Sequence, residues 1–416
     1  MVTLLACLAA LPQLLVYAGH VRSGSYPGSA FKPRVDAMLG AAQAAADGGP
    51  FAVVHSGRRF SVAPGLLNDI GMAAILDVAS RVRGTAVGVR TLGLVNLGFM
   101  TLALFGLIAV LEPRLHAALI PLFLLVPLSV REYRSVDTVA IHGALAVLGI
   151  VVGAGVGRRW PAAAGVPLGV LVFLVGKVRS VYGTYALLAA ASVAMLAWLV
   201  FRDRRALARF GCLVLALAAL EVPWRLAMHE RASSPRVIDG ETLRAHNFWE
   251  PFVSGIGWTE NRWGIKPWDP WIAEFLAARV GQEAVPITTE EGERRARATY
   301  LSLWREAPFY LALLYLARVP AACREHFSLG LAGAVAWLSA SLAALVAAVR
   351  RSDLGLLAAL VPGVVLMLGL SFQTLVIDPR LIYANPLRFV SAYGLVVALG
   401  SLVALRAAKE SSLRAS

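Results

Sequence analysis

The chain has 416 residues, of which 58% are hydrophobic and 15% charged, and its mean hydropathy is +0.69. That balance excludes an ordinary soluble globular protein, because so much apolar surface needs lipid as well as a core to cover it. The net charge of +14 would point to nucleic acid in a soluble chain, but here it sits in short connections between apolar runs, the pattern that sets membrane topology, so no nucleic-acid partner is expected.

Met1–Tyr17 is apolar, lacks the basic start of a signal peptide and shows no clear cleavage site, so it reads as a retained first span. A helix needs about 20 apolar residues to cross a bilayer. Runs of about this length predict ten spans, at roughly 2–18, 91–111, 117–130, 138–156, 162–176, 181–201, 210–228, 329–349, 354–373 and 389–405. The weakest is 162–176, short and containing Pro167. The predicted fold class is all-α, a polytopic transmembrane helix bundle forming one membrane-embedded domain over 1–416. Arg114, Arg158, Arg159, Arg202, Arg204, Arg205, Arg209, Arg350, Arg351, Arg406, Lys409 and Arg414 then fall on one side. Positive charge in short loops marks the cytoplasmic side. The chain is therefore expected in the cytoplasmic (inner) membrane, multi-pass, with both termini in the cytoplasm.

Two long loops remain outside, about 19–90 and about 229–328, each with signals for short interfacial helices. In the first, Pro33 suits a first helical turn, residues 41–46 are alanine-rich, and Gly48 and Gly49 form a stop. In the second, Asp269 and Pro270 read as an N-cap and first-turn proline for a helix over Trp271–Val280 that stops at Gly281. Thr288 and Glu291 form a capping-box pattern before a helix running towards Arg305. Ala307–Val319 is apolar but short, and suits the interface better than a crossing.

The chain has no Walker A loop, no dinucleotide-binding glycine fingerprint, no GxSxG, no HExxH and no CxxC. ATP hydrolysis, hydride transfer and zinc hydrolysis therefore have no sequence support. Cys7, Cys212 and Cys323 are too widely spaced for a disulfide framework or metal cluster. No cofactor or metal is called for, and a divalent ion is left open.

Asp36, in FKPRVDAML, is the first candidate. A carboxylate just outside a membrane can take a proton from an acceptor hydroxyl or amine; equally, a first-turn carboxylate stabilises a helix through its dipole. Asp69, in the same loop, reads as a turn or cap residue. The window 246–271 holds Trp249, Trp258, Trp263, Trp268 and Trp271. Tryptophans anchor chains at the membrane interface, and their faces also stack on sugar rings. His246 and Glu250 lie four apart, which on a helix makes them an acid/base pair or a local hydrogen bond. Trp249, Trp258, Trp263 and Asp269 are the substrate-loop candidates, with Asp269 also readable as the N-cap. Arg131, Arg134, Lys177, Arg179, Arg380 and Arg388 lie in short external connections, against the topological bias. Either they bind an anionic group such as a lipid phosphate, or they snorkel and pair with Glu132, Asp137 and Asp378. Glu221, Arg225 and His142 form either an outward pocket or structural pairs.

This layout resembles the GT-C class of integral-membrane glycosyltransferases: many spans, and a long first external loop carrying interfacial helices and an acidic residue. RVDAMLGAAQAAADGG stands where that loop's acidic residue and helix would be, and REYRSVD where a further polar external loop is placed. The chain departs from parts of the class in having no adjacent acidic pair in the first loop and no WWDYG-type signature. The resemblance implies transfer of a sugar from a polyprenyl-phosphate lipid donor to a glycan or lipid acceptor at the outer face. Asp36 would be the general base, and Arg131, Arg134, Lys177 and Arg179 would hold the donor phosphate. Alternatives are an O-antigen-ligase or polymerase-like enzyme acting on lipid-linked glycans, a lipid or solute transporter, and a scaffold without catalysis. A transporter predicts internal repeats and midspan polar residues, and neither stands out.

Overall fold

The computed structural model describes residues 1–23, 32–48, 52–55, 58–61, 70–128, 138–233, 249–267, 269–285, 290–326, 330–377 and 381–415. The chain opens with α1 (Val2–Ser23). The first long connection holds α2 (Lys32–Ala46), a hairpin of β1 (Ala52–His55) and β2 (Arg58–Ser61), and α3 (Ile70–Arg83). Six apolar helices follow: α4 (Val89–Val110), α5 (His116–Leu125), α6 (His142–Gly157), α7 (Gly165–Val178), α8 (Ser180–Phe201) and α9 (Arg204–Ser233). The second long connection carries α10 (Glu250–Ile256), α11 (Asp269–Val280), α12 (Glu290–Glu306), α13 (Pro308–Ala317) and α14 (Val319–His326). α15 (Gly330–Arg350), α16 (Leu354–Phe372) and α17 (Leu381–Ala415) complete the chain, with a π-helical turn Gln373–Ile377 extending α16.

Among the described residues, 7 helices are long and apolar enough to cross a membrane: α1, α4, α8, α9, α15, α16 and α17. The protein is a multi-pass helical membrane protein. Their outer faces are studded with exposed aliphatic side chains, including Leu4, Leu8 and Leu15 on α1 and Val335, Leu338, Leu342 and Val346 on α15, which lipid would cover. Three further apolar stretches expected as spans form shorter helices, Pro113–Leu125, His142–Gly157 and Ala162–Val178. Sequence and packing explain two of them. All residues of α6 are buried, so protein and not lipid surrounds it. α5 stops at Leu125 because Pro127 holds Val126 in an extended conformation, and Gln13 of α1 satisfies carbonyls left at that end. The Gln13 amide donates to Phe123 O at 2.5 Å and Val126 O at 3.0 Å, and its oxygen accepts from Leu128 N at 2.9 Å.

The arginine-bearing connections gather at one end of the bundle. Arg114 donates to both carboxylate oxygens of Asp353 at 2.6 and 2.7 Å. Arg158 lies 4.0 Å from Glu112. Arg209, fully buried, donates to Val156 O at 2.7 Å and Trp160 O at 2.6 Å, tying the start of α9 to the turn after α6. This basic end therefore joins the connections α4–α5, α6–α7, α8–α9 and α15–α16. Both long connections lie at the other end.

In the first long connection, α2 ends before Gly48, whose φ of +72° makes the predicted stop. α2 packs on α3 and on the hairpin, whose antiparallel register pairs Ala52 with Ser61 and His55 with Arg58. The hairpin and α3 were not expected; the fold is otherwise helical. In the second connection, α11 ends at Val280 with Gly281 at φ +64°, and α12 runs Glu290–Glu306, both close to expectation. α10 to α13 enclose a hydrophobic cluster of their own, including Phe252, Val253, Ile256, Leu276, Tyr300, Leu303 and Leu311. On α13, Phe309, Leu313 and Leu316 share one exposed face, as an interfacial helix requires.

Candidate functional site

α6, α8 and α16 pack together at the centre of the bundle. Glycine spacing sets their approach. A Cβ at Gly149 would meet Leu366 at 3.1 Å and one at Gly153 would meet Pro362 at 2.6 Å, while Gly157 abuts Ala358. Small residues four apart let helix backbones approach closely in lipid. The register falls by four on α16 as it rises by four on α6. Continued two turns, it brings His142 level with Gln373 at the end away from the basic connections.

A buried polar cluster occupies this level. His142 is 1% exposed, and its ring centroid lies 5.3 Å from that of Tyr182, itself fully buried. Arg179 is the single residue between α7 and α8. Its N–H closes α7 onto Val175 O at 2.8 Å and its carbonyl receives Tyr182 N–H at 3.1 Å, so one extended residue ends one helix and starts the next. The turn is this tight because Gly183 packs on Gly176, where an added Cβ would lie 2.5 Å from the opposing Cα. The Arg179 side chain is buried. Tyr185, one turn on, donates to Gly369 O at 2.9 Å. Gln373 is buried, and its Oε1 has no hydrogen-bond partner among the described residues. A guanidinium, an imidazole, a phenol and an amide thus lie buried at the end of the three central helices. Ionisable groups at such depth in membrane proteins are costly and mark functional sites.

Lys177 and Arg179 diverge despite their closeness in sequence. Lys177 Nζ donates to Glu221 at 2.7 Å and sits 5.2 and 5.3 Å from the ring centroids of Phe173 and Trp224. Glu221 also lies 3.7 Å from Arg225. Glu221 and Arg225 are therefore grouped with Lys177, while His142 belongs with Tyr182. α3 crosses at the same place: Gly71 packs on the Lys177 backbone so closely that a Cβ there would lie 2.5 Å from it. Asp36 is exposed on α2, one layer further out, on the helix that packs against α3. Arg131, Arg134, Arg380, Asp69, His246 and Trp268 lie outside the described residues. Segment 129–137, which carries the first two, leads directly into the turn before His142.

The second long connection sits over the α16 end of this cluster. Phe252 of α10 faces Phe372 with centroids 6.3 Å apart, and Val376 of the π turn packs into the α10–α13 cluster. Glu250 is buried in the first turn of α10. Trp249 precedes it, stacked near Phe252 and Tyr300, with the Arg297 guanidinium 5.9 Å from its ring. Trp258 is half-buried just after α10. Trp263 lies elsewhere, donating from Nε1 to Glu306 at 3.0 Å. Asp269 opens α11. The predicted tryptophans are thus split between two places.

Three residues passed over in the sequence organise this lobe. Arg318, buried between α13 and α14, donates to Thr259 Oγ1 at 2.7 Å, Leu375 O at 2.9 Å, Gly255 O at 2.6 Å and Ile256 O at 3.2 Å. Burial pushes its pKa down from the usual arginine value, and neighbouring Tyr315 opposes that. Burial pushes the Tyr315 phenol far above its ordinary range, with Tyr300 adding to it. Glu306 collects Trp263, Arg262 and Arg279; the Trp263 N–H and Arg279 hold its carboxyl down at about 2. An arginine interrupting an apolar run was the available signal for Arg318. Glu306 carried none, because its partners come from 27 to 44 residues away.

Among the described residues, no group of three or more His, Cys, Asp or Glu is placed to hold a metal ion. No protein-family model, curated protein or solved structure gives a significant match to this chain.

Proposed function

We propose that the protein is a ten-span, GT-C-like glycosyltransferase of the cytoplasmic membrane with both termini in the cytoplasm. It transfers a sugar from a polyprenyl-phosphate donor to a glycan or lipid acceptor at the outer face. The buried cluster of Arg179, His142, Tyr182 and Gln373 carries this reading. It offers cationic and hydrogen-bonding groups at the end of the bundle away from the basic connections, beside an aromatic lobe. Of the short helices, α6 counts as a crossing because the surrounding helices enclose it, and α5 and α7 count because the connections α4–α5, α6–α7 and α8–α9 meet at one end of the bundle.

In the proposed reaction an acceptor hydroxyl or amine attacks the anomeric carbon of the donor sugar. The bond from that carbon to the phosphate oxygen breaks, and polyprenyl phosphate leaves with the bonding electrons. Asp36 takes the acceptor's proton. Arg179, with Arg131 and Arg134 on the adjoining segment, stabilises the charge growing on the leaving phosphate. Lys177 supports this site by fixing the α7–α9 contact through Glu221. Trp249 and Trp258 line the acceptor side, with Glu250 and His246 as the reserve acid/base pair.

Turnover of labelled polyprenyl-phosphate sugars by the reconstituted protein, alongside Asp36→Asn, tests this reading. Wild-type turnover with loss in the variant supports both the reaction and its base. Normal turnover by Asp36→Asn moves the base to His246 or Glu250. No binding of any such lipid rejects the glycosyltransferase reading.

A further inference from the structure

We propose that the basic end of the bundle holds a second binding site, distinct from the transfer site, for a ligand bearing a phosphate group. A cavity of about 970 Å³ opens there between the connections α4–α5, α6–α7 and α15–α16. Its wall carries four guanidiniums, Arg114, Arg158, Arg159 and Arg351, against two carboxylates, Glu112 and Asp353.

Both carboxylates are already engaged. Asp353 accepts from Arg114 and caps α16 by accepting from Leu356 N at 3.0 Å. Glu112 holds Arg114 at 2.6 Å and Arg158 at 4.0 Å, and its carboxylate rests against Gly355, where an added Cβ would displace it. Arg159 and Arg351 are exposed, and among the described residues neither has an ion-pair partner. The Arg351 backbone is fixed. The turn after α15 is closed by Ser352 N to Val349 O at 3.1 Å and Asp353 N to Ala348 O at 2.8 Å, with Ser352 held at φ +53°. Such a closed turn presents its side chains from a set position.

Guanidiniums recognise phosphate oxygens through paired, charge-assisted hydrogen bonds. Two uncommitted guanidiniums on a cavity wall, backed by two more whose carboxylates are shared, form an anion site. The volume lies at the upper end of small-ligand pockets, room for a phosphate with a glycerol or sugar attached. Trp160 on the same wall offers a face for that non-ionic part. Such a group reaches this end of the bundle either as the headgroup of an anionic lipid or as a soluble phosphoester.

The full-length protein in nanodiscs distinguishes these sources. One arm counts phosphatidylglycerol molecules retained in native mass spectrometry, from discs containing that lipid. The other measures the thermal shift given by pyrophosphate and by glycerol 3-phosphate in phosphatidylcholine discs. Each arm compares wild type with the Arg159→Gln/Arg351→Gln pair. A control pair, Arg204→Gln/Arg205→Gln, removes equal charge at the same end but away from the cavity. The expected result is that wild type and the control pair bind one probe, while the cavity pair binds it about tenfold or more weakly. Retention of phosphatidylglycerol alone identifies a lipid headgroup, and a shift by the soluble probes identifies a phosphoester. If the double variant does not fold, Arg351→Gln alone is expected to weaken binding several-fold. Absence of binding by wild type, or equal loss in the control pair, overturns the proposal and leaves these arginines as topology determinants only.

Discussion

Arg318 joins the α10–α13 lobe to the bundle by giving its guanidinium to three main-chain carbonyls and one hydroxyl, two of those carbonyls from the last turn of α10 and one from the π turn that extends α16. Removing it leaves buried acceptors without donors, so Arg318→Leu is expected to destabilise the protein by about 3 kcal/mol, read as a lowered thermal transition in detergent. Arg318→Lys should not restore it, because an ammonium cannot reach the same fork of acceptors. Glu306 makes a pH prediction. Its folded pKa lies below the usual carboxylate value, so its contribution is present above the unfolded value of 4.5 and is lost as pH falls towards about 2. Proteolysis of the segment around Arg262 and Trp263 should stay slow down to pH 4.5 and rise as the pH falls further. In Glu306→Gln it should be fast at neutral pH. At this scale the sequence was legible where a residue acts locally, as at Gly48 and Gly281. It was opaque where partners come from distant helices, as for Gln13, Glu306 and Arg318. The local signal for Gln13, a lone amide inside an apolar span, names no partner.

α6 shows why element identity was easier to read than element role. Its apolar run marked a helix, yet periodicity cannot distinguish a lipid-facing span from one enclosed on every side, since both are hydrophobic all round. The glycines at 149, 153 and 157 held the missing information, because their spacing implies a close helix partner. Gly153→Leu should therefore wedge α6 from Pro362 and Ala189 and reduce monodisperse, folded protein in size-exclusion chromatography. Gly98→Leu on α4, where the space is open, should have little effect. The hairpin at 52–61 was missed because its strands are only four residues each, too short for an alternation signal; only the Ser56-Gly57 pair hinted at a turn. Of the two readings of Glu221, Arg225 and His142, structural pairing describes Glu221, which engages Lys177 and lies near Arg225, while His142 packs on Tyr182 instead.

For the whole molecule, alternation of arginine-bearing and polar connections predicted two unlike ends, and the contacts Arg114–Asp353 and Arg209–Trp160 draw the arginine-bearing connections together. A reporter fused after Ser416 and one inserted near residue 240 should report opposite sides of the membrane; the same side for both would contradict ten spans. The buried polar cluster was only half legible: Arg179 stood out against the topological bias, whereas Tyr182 and Gln373 acquire meaning only once α6, α8 and α16 are in register. Photocrosslinking with a diazirine-bearing polyprenyl phosphate, mapped by mass spectrometry, tests the central claim most directly. The account predicts labelling at the outer ends of α6, α8 and α16, around His142, Tyr182 and Gln373, and its loss in Arg179→Gln. Labelling spread evenly over the lipid-facing sides of α1, α9 and α15, unchanged by that substitution, would contradict it.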